Sequence, residues 1–221
     1  MIECGLIQKV ASGDMSDPKV RIARAAIEEF AMRSLDGARI REIAKKSGAN
    51  VAAISYHFGG KKALYNAVVE GVSDYFEDSV KPFYDRGEAV FEKNDSAAAT
   101  NLAREFLIGT IRKFSEVDIV PAFCLIMARE TASPSESFRR VYDSIFRKPV
   151  DFLSRLLQVA SKGRLARDVG VVFAQALWSN VRSYSSKSGA ILKLHSWKNF
   201  GDAELELLDS ALSKVLSKTL K

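Results

Sequence analysis

Apolar residues return along this chain at intervals of three and four, the spacing of helices that each bury one face. Ile22, Ala26, Ile27 and Phe30 make one such face, and Leu64, Tyr65, Val68, Val72, Tyr75 and Phe76 make a second. Leu205, Leu208, Leu212 and Val215 make another near the end. No stretch keeps the strict alternation of a half-buried strand, so the pattern predicts an all-α fold. Asp17-Pro18 starts the first helix, with a capping side chain followed by a proline at the first helical position, and it runs to about Ser34. A long helix is expected from Lys61 to about Val80, stopped by Pro82, and then a partly helical connector over 86–99. Further helices are expected at 96–115, 118–131, 135–161, 168–186 and 202–220. Residues 1–16 show no periodicity and read as a flexible N-terminal arm.

Between the first two long helices lies a denser signal. Ile40, Ile43 and Ala44 stripe one short helix, Gly48 supplies the left-handed residue that ends it, and Asn50 suits the N-cap of the next. The second short helix, Val51 to His57, hides Ile54 and shows Ala52, Ala53, Ser55 and Tyr56 on its other side. Two short helices joined by a tight turn with a glycine make a helix-turn-helix, and a helix face of small side chains can enter the major groove.

Charge adds to this reading. The chain carries +6 overall, yet residues 17–65 hold ten Lys/Arg against five Asp/Glu. A basic segment on a nearly neutral body suits a partner made of phosphates. The 221 residues are ample for a buried core. Cys4 and Cys124 are too far apart in sequence to suggest a disulfide framework, and with His57 and His195 as the imidazoles no metal site and no cofactor are expected. No apolar run reaches the roughly 18–20 residues of a membrane span, and the first residues lack the pattern of a signal peptide; a cytoplasmic protein without a membrane partner is expected.

The residues from Ala23 to Tyr65 resemble the DNA-binding domain of the TetR family of bacterial transcriptional regulators. The resemblance rests on AAIEEFA, on IREIAKKSG, and on SYHF followed by GGKKALY. Two departures stand out. The family usually has Ser or Thr capping the second helix, where this chain has Ala38 and Arg39, and a small polar residue where it has Gly60. Residues 127–157, MARETASPSESFRRVYDSIFRKPVDFLSRLL, together with NVAAISYHFGGK, resemble the CecR branch of that family. The resemblance implies a three-helix helix-turn-helix domain over 17–65 and a larger helical-bundle domain over 66–221 for ligand binding and dimerisation.

Site residues follow from the two readings together. Val51, Ala52, Ala53 and Ser55 are the candidates for base edges, and Asn50 caps the helix and can reach DNA. Tyr56, His57 and Lys61 are candidates for phosphates, as are Arg39 and Arg41 beside the second helix. For His57 the bland alternative is a half-buried structural histidine, and for the arginines a solvated face. In the body, IVPAFCLIMA is apolar all round, and Arg129 at its edge suits either a ligand clamp or a structural ion pair. Phe106, Phe123, Met127, Phe146 and Trp178 are candidate pocket walls, though aromatics at helical spacing are also plain core. Val171, Gln175, Trp178, Val181, Leu205, Leu208, Leu212 and Val215 are the candidate dimer contacts. The expected function is a ligand-responsive regulator, a repressor that binds a palindromic operator as a homodimer and answers to a small-molecule effector. The rival readings are a helical enzyme or lipid carrier using the apolar body, which lacks any nucleophile–base set or phosphate loop, and an architectural DNA binder without a ligand.

Overall fold

The computed structural model describes residues 5–220, and all their regular structure is helical. The elements are α1 (Leu6–Ser12), α2 (Pro18–Gly37), α3 (Ile40–Ser47), α4 (Val51–Phe58), α5 (Lys61–Lys93) and α6 (Ser96–Ser115). After them come α7 (Val120–Ala132), α8 (Phe138–Val141), a π-helical turn at Tyr142–Arg147, α9 (Lys148–Ala160), α10 (Arg167–Ser185), α11 (Gly189–Leu194) and α12 (Asp202–Thr219). The all-α expectation holds, and no helix of the described residues is long and apolar enough to cross a membrane.

The chain forms two compact units. The first takes residues up to Glu77 together with Val117–Ile145, and the second takes Asp78–Glu116 with Phe146 onward. In the first unit α2 packs on α1, α3 and α7. Asp17 caps α2 by accepting the Lys19 backbone N–H at 2.8 Å. Ser34 interrupts α2 at φ 62°, ψ 176°. The second unit packs α6 against α9, α10 and α12. Its centre is Phe106, fully buried, with Phe83 and Phe152 edge-on at 5.5 and 5.1 Å and Trp178 stacked on it at 5.2 Å. Gly87 lets α5 come this close: a Cβ there would lie 2.3 Å from the Phe152 ring.

Four expectations are corrected. Within the expected arm, residues 6–12 form α1, because Leu6, Ile7 and Val10 fall on one side of two turns and are buried. Residues 1–4 of that arm lie outside the described residues. Pro82 does not stop α5: it and Asp78, whose carbonyl loses its partner, are both exposed, where water can serve that carbonyl. Beyond it Phe83, Tyr84 and Phe91 pack on Phe106 and Phe152, which keeps the helix going and reduces the expected connector to Asn94 and Asp95. The helix expected over 135–161 is broken into α8, the π turn and α9; Pro149 has no N–H for the Ile145 carbonyl, and the widened turn lies just ahead of it. The short helix α11 was not expected; none of its residues is buried, so it leaves no stripe to read.

Candidate nucleic-acid interface

The helix-turn-helix is built as its residues suggest. Ile43 and Ala44 bury α3, and Gly48 ends it at φ 68°, a conformation a side chain would strain. The Ala49 N–H returns to the Ala44 carbonyl at 3.0 Å, so the turn consumes the last free carbonyls of α3. Arg21 on α2 donates its Nε–H to the Ser47 carbonyl at 3.3 Å and fixes the same end from below. Asn50 then opens α4 in extended conformation, its Oδ1 accepting the Ala53 N–H at 2.7 Å. Ile54 is fully buried and sets the roll of α4. With Ile54 inward, Val51, Ala52, Ser55 and Tyr56 are exposed, Tyr56 at 85%. This is a flat, largely uncharged face with one projecting phenol.

On the preceding helix, Arg39 at the N-cap of α3 and Arg41 and Lys45 within it are exposed cations. The Lys61 ammonium donates to the carbonyls of Asp36 and Ala38, each at 3.2 Å, and so closes the end of α2. His57 is half-buried, with its ring edge against Tyr56 at 5.1 Å. Ala53 is half-buried too. The absent Ser/Thr at the start of α3 is visible in the structure, since Arg39 stands as N-cap without a side-chain cap.

Two comparisons with known sequences cover most of the chain. Residues 22–68 match the model of the bacterial regulatory proteins of the TetR family, and residues 103–221 match the C-terminal domain of the transcriptional dual regulator CecR. The chain belongs to the TetR family, with a CecR-type C-terminal domain. CecR of Shigella flexneri is 27% identical over 198 residues, 88% of this chain and 87% of that protein. In fold it is similar to a Clostridium perfringens regulator assigned to fatty acid metabolism, with a TM-score of 0.61 at 15% identity over 88% of this chain and 97% of the other. It is also similar to FadR of Bacillus subtilis, solved with stearoyl-CoA, at a TM-score of 0.50 and 17% identity over 89% and 96% of the two chains.

Of the candidate ligand residues of this TetR-family chain, Phe123, Met127 and Arg129 belong to the first unit and Phe106, Phe146 and Trp178 to the second. Phe106 and Trp178 are stacked on each other as core, which leaves neither face of that contact open. Arg129 is engaged with the backbone of α2, and no ion pair with Glu130 is seen among the described residues. Its guanidinium donates to the Phe30 carbonyl at 2.5 Å and the Met32 carbonyl at 3.3 Å, the last carbonyls of α2 ahead of the Ser34 break. Nor is α7 apolar on a fully enclosed surface, for Leu125 is 51% exposed while Phe123, Ile126 and Met127 are buried.

Glu130 is buried and accepts the Tyr65 hydroxyl at 2.5 Å and the Ser135 hydroxyl at 2.7 Å. Burial first, and then the Glu130 carboxylate, push the Tyr65 phenol well above the ordinary tyrosine range. This pair was missed because nothing local links residues 65 positions apart. Of the candidate dimer contacts, Trp178, Val181 and Leu205 turn into the monomer core, Leu208 and Leu212 are half-buried, and Val171, Gln175 and Val215 face outward. Outward apolar residues that stood outside the candidate set include Val169, Val172 and Leu207.

Proposed function

We infer that this TetR-family regulator reads double-stranded operator DNA with α4, as a homodimer, and releases it when a small-molecule effector binds the helical body. The observation that carries the reading is the exposed face of Val51, Ala52, Ser55 and Tyr56, held outward by buried Ile54, with Arg39, Arg41 and Lys45 exposed at and along the preceding helix α3. Small and apolar groups at the N-terminal end of such a helix suit base edges and thymine methyls, while the arginines and the projecting phenol suit phosphates. Residues 17–65 then form the DNA-reading part and 66–221 the part that dimerises and takes the effector. A single eight-residue helix reads few base pairs, and a two-fold dimer doubles the site. The outward Val172, Leu207 and Val215 supply the apolar surface for that dimer. Repression is the simplest use of such a protein, which acts by occupancy rather than by chemistry of its own, in the cytoplasm where DNA lies.

Selection from a pool of random duplexes tests the reading. The protein is expected to enrich one palindromic sequence, and enrichment of none overturns it. Adding small molecules in turn, a long-chain acyl-CoA among them because the FadR structure holds one, should identify a class that lowers operator affinity.

A further inference from the structure

Glu29 is a glutamate where α2 is otherwise apolar, 3% exposed, next to the fully buried Ile27 and Phe30. A carboxylate in such a place is costly unless its charge and lone pairs are matched. Here Oε1 accepts the backbone N–H of Arg39 at 3.3 Å and lies 3.2 Å from Arg33 Nε, and Oε2 lies 3.6 Å from Lys46 Nζ. Two of these partners are side-chain cations at the surface. The third is the backbone at the start of α3, where Arg39 provides no side-chain cap.

That start carries half of a familiar device. With Arg39 as N-cap, Glu42 is the third helical residue, the place from which a capping-box carboxylate reaches back to the N-cap N–H. The other half, a hydroxyl at the N-cap, is missing, and the Arg39 N–H goes to Glu29 of the neighbouring helix instead. A negative charge at this end also complements the α3 dipole. The first turn so held is the one from which Arg39 and Arg41 extend.

We propose that Glu29 is a positioning residue for DNA binding: across the helix interface it takes the place of the capping-box carboxylate on the Arg39 N–H, at the start of α3 that lacks a side-chain cap, and so fixes the phosphate-facing Arg39 and Arg41. The assignment rests on the DNA-reading function above. It makes Lys46 a counter-ion of Glu29 rather than a phosphate contact.

The test uses the full-length protein and the duplex that the wild type selects from a random pool, with a mixed-sequence duplex as control. Glu29→Ala is expected to lower operator affinity at least about tenfold and to make the salt dependence shallower, while helix content and the sedimentation of the dimer stay unchanged. In an Arg39→Ser background the hydroxyl rebuilds the capping box with Glu42, and the same Glu29→Ala change should then cost less than about threefold. An equal loss in both backgrounds would mean that Glu29 merely fills space, and no loss in either overturns the proposal as well. Where Glu29→Ala does not fold, Glu29→Gln decides. It keeps an acceptor for the Arg39 N–H and should bind within about threefold of wild type, whereas a tenfold loss rules out the capping role. If the wild type selects no duplex at all, it is the DNA-reading function that fails, and this assignment falls with it.

Discussion

Single residues divide here by whether their loss should register in stability or in binding. Tyr56 is the cleanest case for binding. At 85% exposure, with a ring contact only to its neighbour His57 in the described structure, it has little fold to support. Tyr56→Ala should therefore leave the urea midpoint within about 0.5 kcal/mol of wild type and weaken operator binding about tenfold. A large drop in the midpoint would show that the phenol is structural. Tyr65 is the opposite case: its hydroxyl is committed to buried Glu130 and it stacks edge-on with Phe30 at 4.9 Å. Its phenol titrates higher in the folded protein than in the unfolded chain, so the folded state holds that proton more tightly. The associated stability is complete below about pH 10, the ordinary tyrosine value, and is lost as pH rises toward the folded value. Tyr65→Phe should consequently flatten the decline in stability above about pH 10 relative to wild type. Unfolding curves at pH 8 and at about pH 10.5 for the two proteins check this, and parallel declines would remove the titration from the account.

At the level of elements, the helices whose burial repeats at helical spacing were legible, and those settled by distant partners were not. α6 falls on the expected 96–115, and α4 has its expected cap, its buried Ile54 and its exposed face. α5 outran its proline because aromatic packing on Phe106 outweighs one missing hydrogen bond, and nothing in the local sequence carries that information. The exposed side chains of α4 were legible because a short helix with a single inward residue leaves little choice of roll. The place of Trp178 was not, since an aromatic at helical spacing reads the same whether it lines a pocket or, as here, stacks inside a core. The same ambiguity affected the dimer helices. Val181 is 5% exposed, so a charge there would unfold the monomer and say nothing about pairing. Val172 and Leu207, at 68% and 58%, are the informative positions. Val172→Glu with Leu207→Glu should leave the melting of the isolated chain nearly unchanged and raise the dimer dissociation constant at least about a hundredfold. Sedimentation across a concentration series measures it, and an undisturbed dimer would place the interface elsewhere.

For the whole molecule, charge distribution sets how DNA affinity should respond to salt. Of the ten Lys/Arg in residues 17–65, several are already engaged within the protein. Arg24 bonds Asp118, Lys62 bonds Glu136, Arg33 and Lys46 bond Glu29, and Lys61 serves two carbonyls. Arg39 at the start of α3 and Arg41 and Lys45 within it remain exposed with no ion pair among the described residues. Three such cations on each protomer give about six phosphate contacts for a dimer, and each releases about 0.9 of a counterion from duplex DNA. The logarithm of the affinity should therefore fall against the logarithm of salt concentration with a slope of about −5.4. Arg41→Ala removes one contact from each protomer and should bring the slope to about −3.6, on operator and mixed-sequence duplex alike. Ser55→Ala leaves the count of cations unchanged, so it should shift sequence preference and keep the slope. Titrations at about 50, 100 and 200 mM salt with both duplexes separate these effects. A wild-type slope shallower than about −2 would mean that the basic segment does not lie along the phosphates.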